Sequence, residues 1–241
     1  MNLVIDIGNT RAKTGIYEKG DLMGLIIFDD GNVDIYETIK KYPKIKKGIV
    51  SSVKQNEDAL IKEIKNAGIK VIYLNQQTKL PIKNLYQSKE TLGYDRIAAA
   101  VGANYIFPGT NLLVIDAGTA LTIDFINNKG EFIGGNISPG IEMRFKALNQ
   151  QTQKLPLLQK TEDYSLTGIN TNEAIVNGVL NGIVFELEKY MEEYGKQYYD
   201  FKTVITGGDA IFFVKKLKNT IFANLNLVLT GLNRILEENE A

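Results

Sequence analysis

Two apolar runs in this chain break off in nearly the same way. Leu3, Val4 and Ile5 lead into Asp6-Ile7-Gly8-Asn9-Thr10, and Leu113, Val114 and Ile115 lead into Asp116-Ala117-Gly118-Thr119. After each turn an alternating run resumes, Lys13 to Tyr17 in the first copy and Leu121 to Ile126 in the second. Period-two alternation marks a half-buried strand. Each copy therefore predicts a strand, a tight turn carrying a carboxylate, and a hairpin strand. In the first half the pattern predicts strands at 2–7, 11–18 and 22–29, a helix at 33–41, a strand at 47–53, a helix at 55–67 and a strand at 69–74. The helix at 55–67 has Leu60, Ile61 and Ile64 on one face and Gly68 as its C-terminal stop. Residues 75–93 are polar and irregular and read as a loop. A small-residue helix, Arg96 to Phe107, is stopped by Pro108, and its alanines and glycine predict close packing against another element.

The second half repeats the order, with strands at 111–116, 120–127 and 131–137, a helix at 140–150 and a loop at 151–170. A long helix at 171–194 carries Ile175, Val179, Ile183, Leu187 and Met191 at four-residue spacing, an apolar stripe more often core than interface. A strand at 202–206, a helix at 209–217, a strand at 220–223 and a helix at 227–238 complete the chain. Each half is thus a three-strand meander followed by helix, strand, helix, strand. This order resembles the ribonuclease-H-like half-domain of the actin, Hsp70 and sugar-kinase superfamily. The expected fold is α/β: two duplicated half-domains with mixed sheets, an actin-like ATPase fold with a cleft between them. The junction is expected near residue 110, giving domains 1–109 and 110–241.

Composition narrows the chemistry. The chain has 241 residues, 44% of them apolar, enough for a sizeable core. The 28 basic and 28 acidic residues cancel, so no global field argues for nucleic acid or an anionic membrane. No stretch is long and apolar enough to span a bilayer. The N-terminus runs directly into a strand, so no signal peptide is expected and a cytoplasmic location is. There is no Cys, His or Trp. That excludes a disulfide framework, a thiolate zinc site, a Cys nucleophile and an imidazole base. Proton abstraction must fall to a carboxylate, Lys or Tyr. A metal must be a hard cation on oxygen ligands, such as magnesium or potassium.

The doubled turn is the first chemical candidate. Gly8 lets the backbone turn sharply and approach an anion, and the amides of Gly8 to Thr10 can form an anion-binding nest. Asn9 and Thr10 add donors, Lys13 can reach a terminal phosphate, and Asp6 can hold magnesium through water. Taken alone this is an ordinary hairpin turn. The second copy, with Asp116 as a further carboxylate and Thr119 as a phosphate donor, favours a pair of loops that hold a polyphosphate. Thr206-Gly207-Gly208-Asp209 closes a strand and opens a helix, where the backbone can lie flat beside a ligand. Gly93-Tyr94-Asp95-Arg96 precedes the small-residue helix. Structurally, Asp95 suits a helix N-cap and Arg96 a surface or ion-pair position. In a kinase, Asp95 is the base for an acceptor hydroxyl, and Arg96 holds a carboxylate or neutralises the phosphoryl group in transit. Gly134 to Gly140 forms a glycine-rich strand end that could wall an acceptor site, and Asn170 or Thr171 reads as the N-cap of the long helix.

These motifs together resemble the type III pantothenate kinases, bacterial enzymes that begin coenzyme A synthesis. The matching residues are DIGNTRAK at 6–13, Tyr86, LGYDR at 92–96, DAGTALT at 116–122, GGNISPG at 134–140, NTNEA at 170–174 and TGGD at 206–209. The resemblance implies ATP as co-substrate on Asp6, Ile7, Gly8, Asn9, Thr10, Arg11, Ala12, Lys13 and Thr119, with Gly207 and Gly208 bordering the adenosine. It implies pantothenate on Tyr86, Gly93, Tyr94, Asp95, Arg96 and Thr171, with Asp95 accepting the proton of the primary hydroxyl. It implies magnesium at Asp6, potassium or ammonium at Asp116, and a homodimer in which Thr171 is offered by the partner chain. Lys89 stands where the family often has Pro, and Tyr94 where it often has a smaller residue. The alternative from another class is a nucleotide-binding regulatory or accessory protein of the same fold without kinase activity. A sugar or acetate kinase is the nearest enzymatic competitor.

Overall fold

The computed structural model describes residues 1–29, 33–53, 58–219 and 221–239. It divides into two compact units. The first comprises Met1–Gly109, Ile126–Gly134 and Asn226–Ala241, the second Thr110–Phe125 and Gly135–Leu225.

The first unit is built on a five-stranded sheet. Its strands are β1 (Asn2–Ile7), β2 (Ala12–Glu18), β3 (Asp21–Phe28), β4 (Lys47–Ser52) and β5 (Lys70–Tyr73), in the order β3-β2-β1-β4-β5. The meander β1-β2-β3 is antiparallel, while β4 lies parallel to β1 and β5 parallel to β4. This is the mixed sheet that the strand order predicts. Helices α1 (Ile35–Lys41) and α2 (Asp58–Asn66) connect the parallel strands. Asp34 caps α1 by accepting from the Glu37 N–H. The first residues expected in the second helix, 55–57, lie outside the described residues, as does Thr220 at the head of the expected strand 220–223. Between β5 and α3 (Tyr94–Ile106), the segment expected as loop carries a short strand, β6 (Lys83–Asn84), and a 3-10 turn at Lys89–Thr91. Two residues of strand give no periodicity for a sequence to reveal.

The alanine and glycine content of α3 has a structural use. The last helix, α7 (Leu227–Glu238), packs directly on it. A Cβ on Gly231 would lie 1.8 Å from the Ala98 carbonyl oxygen, and one on Gly102 would lie 2.4 Å from that of Leu227. Only bare backbone fits there. Leu229, Leu232, Ile235 and Leu236 of α7 are fully buried, and Asn233 accepts a buried 2.8 Å hydrogen bond from Asn2 on β1. Residues 227–238, expected in the second half, therefore complete the first unit. An amphipathic pattern shows that a helix needs a surface to cover, but not which surface.

The second unit repeats the plan with β7 (Asn111–Ala117), β8 (Ala120–Ile126), β9 (Glu131–Pro139), β10 (Phe201–Thr206) and β11 (Ile221–Ala223). Their order is β11-β10-β7-β8-β9, with β10 parallel to both β7 and β11. The tip of the β8-β9 hairpin, Ile126–Gly134, belongs to the first unit, where Lys83 and Asn84 of β6 register with Glu131 and Phe132. Helices α4 (Ile141–Gln150), α5 (Thr171–Gln197) and α6 (Ala210–Val214) complete the unit. The stripe Ile175, Val179, Ile183, Leu187, Met191 is buried throughout and packs with Phe145 and Phe213 in the core. The stripe thus serves the core of its own unit.

Candidate functional site

In the first unit, the turn of the β1-β2 hairpin is closed by the Gly8 N–H, which donates to the Arg11 carbonyl at 2.9 Å. The registers place Asp6 opposite Lys13 on β2 and beside Ser51 on β4, with Ile7 opposite Ala12. Registered neighbours project from the same face of a sheet, so a carboxylate, an ammonium and a hydroxyl share one strand end. Ile7 and Ala12 are buried beneath it, and Asn9, Thr10 and Arg11 are exposed at the tip. Arg11 pairs with Asp29 at 2.9 Å, and both side chains are largely exposed, a pairing of small energetic value.

The second copy has the same construction. Asp116, the last residue but one of β7, registers with Thr206 on β10. Thr206 is as buried as Ser51, each 2% exposed. Each strand-end carboxylate therefore has a buried hydroxyl residue on its parallel neighbour. Three segments converge here. The Asp209 N–H donates to the Ala117 carbonyl at 2.9 Å. Gly207, at φ +97°, sits so close that a Cβ would lie 2.5 Å from an Asp116 carboxylate oxygen. Gly140, at the end of the glycine-rich strand, would place a Cβ 2.4 Å from the Thr119 carbonyl oxygen. Gly207 and Gly140 are thus required for the turns to nest, a stronger role than a flexible link. Arg144 on α4 secures this end of β9, donating to the Pro139 carbonyl and the Ser138 hydroxyl at 2.9 Å each and pairing with Glu186 on α5.

The Gly93–Arg96 segment lies in the first unit with Tyr86. Gly93, not Asp95, is the N-cap of α3, and no side chain caps this helix. Asp95 is in the first turn, where the helix dipole favours a carboxylate. Its Oδ1 accepts from the Arg96 N–H at 2.8 Å, and a Cβ on Gly93 would lie 2.5 Å from that oxygen. Glycine at this position leaves room for the carboxyl to fold back over the helix start. Arg96 is not at the surface: it is 5% exposed, with its guanidinium 5.4 Å from the Tyr86 ring centroid. Tyr86 also packs on Phe132, centroids 6.2 Å apart, and its backbone N–H is fixed by Asn84 at 3.0 Å. Tyr86, Asp95 and Arg96 are therefore gathered around one helix start, with Tyr94 partly buried beside them.

In the second unit, Asn170 takes the capping role at α5, accepting from the Glu173 N–H at 3.0 Å, while Glu173 accepts from the Asn170 side chain and the Ile169 N–H. This is a variant of the capping box, with the Glu173 carboxylate on the N–H of Ile169, one residue before the cap, and it leaves Thr171 exposed as the first helical residue. Among the described residues no group of three acidic side chains forms a metal cage. Asp6 and Asp116 each stand as one carboxylate at a strand end, which suits a cation held mainly by phosphate oxygens and water. No helix of the described residues is long and apolar enough to cross a membrane.

Lys160, Arg144 and Ser51 carry no sequence signal for their places here. Lys160 pairs with Asp209 49 residues away and Arg144 with Glu186 42 residues away. Ser51 gains its position only through the β1-β4 register.

Comparison with known proteins agrees with this arrangement. A type III pantothenate kinase from Phocaeicola vulgatus is 43% identical over 241 residues, covering 100% of this chain and 99% of that protein. A solved structure from Campylobacter jejuni, provisionally described as a Baf-family transcriptional activator, superposes with a TM-score of 0.65 at 26% identity, covering 99% of this chain and 98% of its own. A structure from Sinorhizobium meliloti, provisionally described as a 2-dehydro-3-deoxygalactonokinase, reaches a TM-score of 0.60 at 12% identity, with 99% of each chain covered, and so shares the fold. Residues 2–193 match the family described as type III pantothenate kinase. With the doubled Asp-x-Gly turn and the Tyr86–Arg96 cluster inside those residues, the chain belongs to the type III pantothenate kinase family.

Proposed function

We propose that this protein transfers the γ-phosphoryl group of ATP to the primary hydroxyl of pantothenate, giving 4'-phosphopantothenate, the first step of coenzyme A synthesis. The observation that carries the acceptor assignment is the cluster at the start of α3. Pantothenate presents a carboxylate and a hydroxyl, and here a buried guanidinium, Arg96, stands next in sequence to a carboxylate, Asp95, beside Tyr86. Arg96 binds the acceptor carboxylate, and Asp95 aligns the hydroxyl and takes its proton.

Phosphoryl transfer asks the protein for positioning and charge neutralisation more than for covalent chemistry. Residues 6–13 and Thr119 take the phosphates, Lys13 supplies positive charge, and Gly207 and Gly208 border the adenosine. Magnesium, where bound, offsets phosphate charge and is served by Asp6; a monovalent cation is served by Asp116. The working form in this reading is a homodimer, with the exposed Thr171 offered to the partner's acceptor site.

The test is a panel of acceptors, pantothenate, hexoses and acetate, with ATP, magnesium and potassium, the product identified by mass. Phosphate on pantothenate alone supports the reading. Transfer to a sugar or to acetate, with none to pantothenate, sinks it. The Campylobacter jejuni likeness favours a second reading, a nucleotide-binding regulator. Nucleotide binding without turnover on any acceptor would support that one.

A further inference from the structure

The segment between α4 and α5 is loop in the sequence, yet in the second unit it is tied at both ends. At one end Lys160 pairs with Asp209, the last residue of the Thr206–Asp209 turn, and its ammonium lies 6.0 Å from the Phe212 ring centroid. Lys216, just beyond α6, donates to the Glu162 carbonyl at 2.9 Å and lies 4.9 Å from the Tyr164 ring centroid. Tyr164 stacks on Phe212 with centroids 6.3 Å apart. At the other end Ser165 holds α5: its N–H donates to the buried Asn177 at 3.3 Å, and its carbonyl accepts from Asn181 at 2.8 Å. Residues 160–165 form a strap across α6.

Asp209 has two roles at the head of this strap. Its backbone N–H fixes the 206–209 turn to the 116–119 loop through the Ala117 carbonyl, at 2.9 Å. Its carboxylate, only 18% exposed, faces Lys160. An unpaired, largely buried carboxylate at this edge would repel a polyanion and would itself be costly. Paired with Lys160, the edge is neutral.

We propose that Lys160 is a positioning residue for the nucleotide, acting through Asp209: it neutralises that carboxylate and so keeps the 206–209 turn docked on the 116–119 loop without a repulsive charge at its edge. The proposal rests on the reading that ATP lies along these two segments. Lys160 touches no reacting atom and supplies no proton. Its effect falls on nucleotide affinity and not on the chemical step.

The full chain is titrated calorimetrically with the non-hydrolysable analogue AMP-PNP in magnesium, and each variant's folding is checked by thermal unfolding. Lys160→Met weakens AMP-PNP roughly tenfold at low salt, and the deficit shrinks as salt is raised. Lys160→Arg keeps wild-type affinity. Adding Asp209→Asn to Lys160→Met restores affinity to within about threefold, because the uncompensated charge is gone. If Lys160→Met does not fold, Lys160→Gln serves in its place. Wild-type affinity in the Lys160→Met protein overturns the proposal. So does a double variant as weak as the single one, which would leave the strap a structural tie only. Wild-type protein that binds AMP-PNP but leaves pantothenate unphosphorylated overturns the acceptor assignment, and the binding series still decides the role of Lys160. Wild-type protein that binds no AMP-PNP and transfers no phosphate from ATP to pantothenate overturns both.

Discussion

Asp6 stands directly opposite Lys13 in the register of the first hairpin, so one strand end presents a carboxylate and an ammonium side by side. The two have opposite tasks toward a nucleotide, one toward its cation and one toward its phosphates. Lys13→Met should lower kcat/KM for ATP roughly 100-fold. Asp6→Asn should raise the half-saturating magnesium concentration roughly 10- to 100-fold. Steady-state kinetics over a magnesium series separates the two. Equal magnesium dependence in both variants would contradict the division of labour.

Asp95 lies in the first turn of α3, bonded to the Arg96 N–H. Asp95→Asn keeps the shape and removes the base. It should lower kcat roughly 100- to 10,000-fold while the KM for ATP stays close to wild type. Near wild-type turnover by this variant would remove Asp95 from the mechanism.

Arg96 is buried with its planar group toward Tyr86, a setting in which lysine is a poor substitute. Arg96→Lys should raise the KM for pantothenate about 10- to 100-fold, the worth of a charged hydrogen bond, and leave the KM for ATP nearly unchanged. An acceptor lacking the carboxylate should not distinguish the variant from wild type. If it does, Arg96 acts on the phosphoryl group instead.

Gly231 meets the Ala98 carbonyl at a distance no side chain tolerates. Gly231→Ala should lower stability by roughly 2–3 kcal/mol and Tm by about 5–10 °C, as overpacking does. Calorimetry checks this, and an unchanged Tm would mean that α7 is free to slide on α3.

Burial raises the pKa of Tyr17 above its ordinary value, and a hydrogen bond with Thr230 only partly offsets this. The folded pKa is the higher one, so this contribution to stability is complete below the unfolded value near 10. It is lost as pH rises through the folded value. Tyr17→Phe should therefore flatten the fall of stability above about pH 10. Urea unfolding at pH 9 and pH 11 measures it, and an identical slope in both proteins would rule the contribution out.

Much of this architecture is legible in the residues. Period-two runs and glycine-marked turns are local signals, and they place both meanders and the doubled Asp-x-Gly turn. The alanines of α3 announce a close neighbour but do not name it. That neighbour, α7, lies more than a hundred residues away in the chain. The same limit hides Lys160 and Arg144, whose partners are set by the packing of the second unit. Asp95 misleads as an N-cap because its residue type suits capping, while Gly93 takes the position and Asp95 moves into the first turn. The site assignments draw on motif order. The structure adds which groups share a strand end or a helix start.

The helix that closes the first unit follows the whole of the second unit in the chain. On the ribosome, β1 to β5 and α3 emerge long before α7, so the face of α3 carrying Ala98 and Gly102 gains its partner only then. Many proteins fold unit by unit from the N-terminus, but here the first unit cannot be completed from its N-terminal residues: it needs residues 227–238, which are made only after the second unit.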